Sequence, residues 1–89
     1  MNKLEREQMI NGTSEALATL IFEKVDRAYE DAAFIDALIL TRDIFELDEG
    51  SFPATNHQAE FNAVCNAIDF LIEEGSVWFD TRNGHVVRV

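Results

Sequence analysis

The clearest pattern of apolar and polar positions lies between Ser14 and Glu30. Its apolar residues recur at intervals of three and four, which is the spacing of one face of an α-helix. Thr13 or Ser14 can cap this helix, with Glu15 near its positive N-terminus. The stripe, interrupted only by Lys24, consists of Leu17, Leu20, Ile21, Val25, Ala28 and Tyr29.

A second helical pattern covers residues 32–45, and Asp31 is its expected N-cap. The residues expected on its inner face are Phe34, Ile35, Leu38, Ile39 and Phe45. The only proline, Pro53, and Gly50 mark the loop that follows.

A third helix is predicted from Thr55 or Asn56 to Glu74, with Gly75 as its C-terminal stop. Its apolar stripe consists of Phe61, Val64, Cys65, Ile68, Leu71 and Ile72. Residues 1–12 form a further helical segment, which Asn11 and Gly12 separate from the rest.

Residues 76–89 predict a β-hairpin around Asn83 and Gly84. A two-residue loop would pair Phe79 with Arg88 and mix apolar and charged side chains on one face. A three-residue loop with Gly84 in the left-handed conformation pairs Phe79 with Val87, which separates the two kinds of side chain. We therefore predict the second register. Its inner face carries Val77, Phe79, Val87 and Val89, and its outer face carries Trp78, Asp80, Val86 and Arg88.

These elements predict one α+β domain over residues 1–89, with three to four helices and a C-terminal hairpin. Its parts are the N-terminal segment 1–12, a helical core at 13–75 and the hairpin at 76–89. The order of three helices and a hairpin resembles that of a winged-helix domain. The resemblance implies DNA binding, with the third helix in the major groove.

The charge distribution argues against that function. The chain has 17 acidic and 7 basic residues, for a net charge of -10. Residues 43–75 contain eight of the acidic residues and no Lys or Arg, so the predicted groove-reading helix would repel phosphate. Such a surface favours basic partners, although an acidic face can also serve only to keep a small protein in solution.

The sequence therefore predicts a non-enzymatic acidic module that binds a protein with a basic nucleic-acid-binding groove. Carboxylates can occupy such a groove in place of phosphates, as a DNA mimic does. A phage-encoded inhibitor of a host enzyme is the concrete form of this hypothesis. The predicted partner-binding residues are Asp43, Glu46, Asp48, Glu49, Glu60, Asp69, Glu73, Glu74 and Trp78.

Apolar groups left over from the predicted core give a second route to partners. They are Trp78, Phe52, Met9 and Ile10. Trp78 can instead cover the end of the first main helix. The N-terminal segment can also pack across a twofold axis and form a homodimer.

Two other functions compete with this hypothesis. The first is a winged-helix regulator or adaptor that contacts DNA through Arg42, Arg82 and Arg88. The second is an enzyme that uses Cys65 with His57 or His85. Cys65 and His57 are about 12 Å apart along one predicted helix, and Cys65 falls in an apolar stripe, so a structural thiol is favoured.

Several classes of site and location are not expected. The sequence has no phosphate-binding glycine loop and no convincing set of metal ligands, so no cofactor or metal is predicted. No apolar run approaches the ~20 residues needed to cross a bilayer, and the N-terminus lacks the apolar stretch of a signal peptide. A single cysteine suits a reducing cytoplasm.

Overall fold

The structure is a computed structural model that describes residues 3–11, 14–47 and 57–89. Its helices are α1 (Lys3–Asn11), α2 (Ser14–Glu30), α3 (Ala37–Ile44) and α4 (Gln58–Glu73), and its strands are β1 (Ile35–Asp36), β2 (Val77–Asp80) and β3 (His85–Arg88). The strands form an antiparallel sheet in the order β1-β3-β2. The predicted α+β fold with winged-helix-like order is confirmed.

The core lies between the helices and one face of the sheet. Its largest fully buried side chains include Phe45, Leu17, Ile21, Leu40, Val25, Val64 and Val77. The most extensive packing joins α2 to α4, because the apolar stripes of both helices face each other. Met9 and Ile10 of α1 pack against this core. The prediction that they are left outside it is wrong.

The segment after α2 differs from the sequence prediction. The N–H of Ala33 donates to the carbonyl of Ala28 at 2.8 Å, and that of Ala32 donates to Tyr29 at 3.2 Å. These two bonds with Ala32 at φ 54° form a Schellman ending, which stops α2 and turns the chain. Asp31 therefore lies in the turn that directly follows α2 and does not cap the next helix.

The next helix is shorter than predicted because a strand precedes it. Asp36 is the N-cap of α3, and its Oδ1 accepts from the N–H of Ile39 at 2.8 Å. In the extended segment Ile35 faces inward and is buried, while Phe34 faces outward. The prediction of Phe34 and Leu38 as inner residues is wrong. Leu40, Thr41 and Ile44 fill this part of the core in their place.

The ends of α4 partly match the prediction. The helix begins at Gln58, and the predicted starts at Thr55 and Asn56 lie outside the described residues. Gly75 stops it with φ 77°, and the N–H of Ser76 donates to the carbonyl of Leu71 at 3.0 Å. The predicted glycine stop is thus confirmed. Ile72, predicted in the stripe, is exposed.

The hairpin has neither of the two registers considered for it. Residues 81–84 form a four-residue turn, so Phe79 pairs with Val86 and Val77 pairs with Arg88. The side chain of Asp80 stabilises this longer turn, because it accepts from the N–H of Arg82 and from the side chain of Asn83, both at 3.0 Å. Gly84 is left-handed as predicted, with φ 73°.

This shift of register exchanges the faces of β3, because successive side chains alternate. Val86 and Val77 are buried, and Val86 also pairs with Ile35 of β1. Arg88 shares the core-facing side, while Val87 lies on the outer side with Trp78. Val89 is exposed. The predicted inner face is therefore wrong for Val87 and Val89, and the predicted outer face is wrong for Val86 and Arg88.

Candidate protein-interaction surface

The predicted acidic residues occupy several parts of the surface. Asp43 lies beside Arg42, with 3.4 Å between its Oδ1 and the arginine Nε, and it lines a cleft with Lys24 and Arg27 of α2. Glu74 lines a different groove, together with Glu15 at the start of α2. Asp43 and Glu74 therefore belong to separate regions. Among the described residues, the predicted acids are not brought onto one face.

The remaining acidic residues are divided in the same way. Glu46 follows α3 at φ 55°, and Glu60 is half-buried with its Oε2 3.9 Å from Nδ1 of His57. Asp69 and Glu73 are exposed on α4. Asp48 and Glu49 lie outside the described residues.

The outward face of α4 carries amides in its first half and carboxylates in its second half. Gln58 donates from Nε2 to Oδ1 of Asn62 at 2.9 Å, and Asn66 is exposed one turn further on. Asp69 and Glu73 then continue the same face, since residues three and four apart are neighbours on a helix. No cation interrupts it, because α4 contains no Lys or Arg. This face is the continuous part of the predicted acidic surface.

The cysteine of the enzymatic alternative is half-buried on α4. Burial, and then the negative charge of Asp69, raises the pKa of the Cys65 thiol. Both effects disfavour the thiolate, which is the nucleophilic form. His57 and Cys65 lie at the start and in the middle of the same helix, as the spacing predicts. Both recorded effects therefore make this thiol less reactive.

Two arginines of the DNA-binding alternative contact acidic residues of the chain itself. Arg88 pairs with Asp26 of α2, and its guanidinium lies 4.8 Å from the centroid of the Tyr29 ring. Arg42 contacts Asp43. Arg82 is exposed in the hairpin turn. Binding of phosphate by Arg88 would compete with its pairing to Asp26.

Of the residues on the outer face of the sheet, the sequence predicted only Trp78 and Asp80, and the structure adds further residues to it. Val87 of β3 pairs with Trp78 of β2, and His85 pairs with both Asp80 of β2 and Asp36 of β1. Cross-strand partners share a face, so these side chains form two adjacent rows. We call this surface the outer sheet face; it consists of Phe34, Asp36, Trp78, Asp80, His85 and Val87.

Phe34 joins this face through its contact with His85. The two rings are stacked, with 4.8 Å between their centroids and an interplanar angle of 15°. Phe34 stays 72% exposed in this contact, and Nδ1 of His85 is buried without a hydrogen-bond partner among the described residues. Trp78, predicted to be a contact residue facing away from the core, is 49% exposed. The outer sheet face therefore presents two large aromatic side chains to solvent.

The sequence contained one usable signal for this face. Asp36 precedes the apolar run at residues 37–40 and is three residues from Ile39, which is the pattern of an N-cap. Moving the helix start from Ala32 to Ala37 would have left Phe34 and Ile35 as extended residues on opposite faces. The pairing of β1 with β3 has no comparable local signal.

No family model, curated protein or solved structure matches the chain. Within the described residues, no three His, Cys, Asp or Glu side chains are arranged to hold a metal ion. In the same residues, no helix has the length and apolar character to span a bilayer.

Proposed function

We propose that this protein is a non-enzymatic binding module whose partner is another protein with a basic, nucleic-acid-binding surface. It would block or modulate that surface. The observation that carries the proposal is the outward face of α4, which presents amides and carboxylates and no cation. In a winged-helix-like order this is the helix that would otherwise enter the major groove.

Electrostatics supports a protein partner over DNA. The electrostatic part of DNA affinity comes from Lys and Arg side chains that neutralise phosphates and release counterions, and α4 supplies neither residue. A net charge of -10 attracts a basic groove over a Debye length of about 8 Å at physiological salt. The pairing of Arg88 with Asp26 further reduces the cations available for phosphate. The single cysteine, Cys65, is consistent with action in the cytoplasm.

One observation favours DNA binding as a second candidate. The outward face of α4 carries three amide side chains, those of Gln58, Asn62 and Asn66. Asn and Gln can form paired hydrogen bonds with the edge of adenine in the major groove. In this alternative Arg42, Arg82 and Arg88 would contact the phosphates.

The test compares two double charge reversals that change the net charge equally. Asp69→Lys with Glu73→Lys alters the outward face of α4. Glu23→Lys with Glu30→Lys alters exposed positions of α2 and is the matched control. Each tagged protein is used to recover partners from bacterial lysate at low and high salt, with identification by mass spectrometry. In parallel, binding to random-sequence duplex DNA is measured at low salt.

The proposal predicts that a nucleic-acid-binding protein is retained at low salt by the native chain and by the α2 variant, and is lost from the α4 variant. It also predicts no binding to duplex DNA. Equal loss from both variants would show that only total charge matters, and retention of duplex DNA by the native chain would favour the second candidate.

A further inference from the structure

The outer sheet face combines exposed aromatic rings with fixed carboxylates. Trp78 lies on the outer strand β2 and pairs with Val87 of the central strand, while Phe34 directly precedes the other outer strand, β1, and its ring stacks on His85 of the central strand. Neighbouring strands are about 4.8 Å apart, so β1 and β2 are separated by about 10 Å. Phe34 and Trp78 therefore flank the central strand from opposite sides, and both side chains are exposed.

Two carboxylates lie in the adjacent row of the same face. Asp36 uses Oδ1 to cap α3, and Asp80 uses its two oxygens to hold the hairpin turn. Each carboxylate oxygen has a further lone pair that can accept from a ligand. Because these hydrogen bonds already fix both side chains, a ligand that pairs with them does not have to immobilise them.

The charge of Asp80 is also maintained over a wide pH range. The hydrogen bond from the Asn83 side chain, and then the one from the N–H of Arg82, hold the pKa of Asp80 below its usual range. The aspartate therefore stays ionised at mildly acidic pH, where an unperturbed carboxylate would begin to take up protons.

Elsewhere in the fold, one arginine is already bound by the same combination of groups. The guanidinium of Arg88 lies over the ring of Tyr29 and pairs with the carboxylate of Asp26. Guanidinium is planar, is weakly hydrated and both stacks on rings and pairs with carboxylates, which Lys does less well. On the outer sheet face, exposed aromatic rings again lie near carboxylates, since Phe34 and Trp78 are exposed beside the row that contains Asp36 and Asp80.

We propose that the outer sheet face binds an arginine side chain from an extended basic segment of the partner protein. The guanidinium stacks between Phe34 and Trp78, and it pairs with Asp36 or Asp80. This inference rests on the proposed function, since it names the partner segment and places it on the sheet. The carboxylates of this face repel negative groups, which disfavours a phosphorylated peptide or an anionic bilayer here. The net charge disfavours a second copy of the chain.

The experiment uses the full chain labelled with ¹⁵N and a short peptide of alternating arginine and glycine. A second peptide replaces each arginine by citrulline, which keeps the planar shape and removes the charge. Binding is followed by fluorescence anisotropy and by amide chemical shifts. The variants are Phe34→Ala and Trp78→Thr, both at exposed positions, with Leu4→Ala as the matched exposed control on α1.

The inference predicts that the arginine peptide shifts amides of β2 and β3 and that either aromatic substitution weakens binding at least tenfold. Leu4→Ala is expected to change binding less than twofold, and the citrulline peptide is expected to bind at least tenfold more weakly. Absence of binding, or equal binding to the aromatic variants, overturns the inference.

One further outcome separates the inference from the proposed function. If the peptide shifts amides of α4 instead, and if Asp69→Lys with Glu73→Lys releases it while the aromatic variants do not, the sheet site is wrong. The proposed function, with a basic partner bound through α4, would then remain supported. If the sheet binds the peptide but lysate yields no basic protein, the site stands as a local arginine site and the proposed function fails.

Discussion

Arg88 in the last strand pairs with Asp26 in the C-terminal half of α2, and these residues are 62 positions apart in the chain. The contact joins the hairpin to the helical core, and the guanidinium also lies on the ring of Tyr29. Each of the two charged side chains is more than a third exposed. Solvent therefore screens the pair, and its contribution to stability is modest.

A double-mutant cycle of Arg88→Gln and Asp26→Asn measures this contribution. We expect a coupling free energy of about 0.5–1 kcal/mol in urea unfolding, which is the usual range for exposed pairs. The coupling should decrease when salt is added, because both groups face solvent. A coupling of zero at low salt would show that the pair does not hold the hairpin to α2.

Substitution of two leucines near the start of α3 tests the corrected position of this helix. Leu40 is fully buried, so Leu40→Ala is expected to cost about 2–5 kcal/mol of unfolding free energy. Leu38 is 43% exposed, and Leu38→Ala is expected to cost less than about 1 kcal/mol. Urea unfolding of both variants gives the comparison. A larger loss of unfolding free energy for Leu38→Ala than for Leu40→Ala would favour the helix position predicted from the sequence.

The Schellman endings of α2 and α4 differ in their left-handed residue. Ala32 has φ 54°, a conformation that costs an L-residue about 1–2 kcal/mol. Ala32→Gly removes that strain but raises the conformational entropy of the unfolded chain. We therefore expect a net gain in unfolding free energy of about 0.5 kcal/mol. The measurement is the midpoint of thermal or urea unfolding, and a lower midpoint would contradict the assignment.

Gly75 provides the opposite substitution at the end of α4. Its φ is 77°, and a Cβ placed there would meet no atom within 4 Å. The cost of Gly75→Ala is therefore conformational alone, and we expect a loss of about 1 kcal/mol. The same unfolding assay compares it with Ala32→Gly, and the two changes should have opposite signs.

The hairpin turn should lose stability in acid. The pKa of Asp80 is lower in the folded protein than in the unfolded chain, so this group contributes stability above the unfolded pKa. That contribution disappears as the pH falls through the folded pKa, because both states are then protonated. NMR titration of the Asp80 carboxyl gives its pKa directly. The stability difference between native protein and Asp80→Asn should shrink below pH ~4, and a constant difference would show that the turn does not depend on this charge.

Cys65 should react slowly with alkylating reagents in the native protein. Burial and the charge of Asp69 both raise its pKa, so little thiolate is present at neutral pH. Asp69→Asn should increase the rate only slightly, because the charge is the smaller cause, whereas unfolding should increase it strongly. Rapid labelling of the native thiol would revive the enzymatic alternative.

The sequence predicted those parts of the fold that depend on local pattern. The stripe with Leu17, Ile21 and Val25 identified α2, and Gly75 identified the end of α4. The end of α2 was harder to predict, because its left-handed residue is Ala32 and not the glycine that usually marks a helix end. With α2 and α3 placed end to end, β1 was missed and Phe34 was assigned to the core.

The register of the hairpin also depends on contacts that are distant in sequence. Asn83-Gly84 correctly marked a turn, but Asp80 enlarges it through its hydrogen bonds to Arg82 and Asn83. The choice between Val86 and Val87 as the buried residue is then decided by pairing with Ile35 across the sheet. The candidate binding surface follows from that pairing, so linear spacing could place Trp78 and Asp80 outward but not Phe34, His85 or Val87.

The central claim is that the chain binds basic protein segments and not DNA. The most direct measurement is a parallel titration of the full chain at low salt with the labelled arginine–glycine peptide and with labelled random-sequence duplex DNA. The account predicts saturable binding of the peptide that Phe34→Ala weakens, and no binding of the duplex. Binding of the duplex with a steep salt dependence, abolished by Arg82→Gln, together with no binding of the peptide, would contradict the claim.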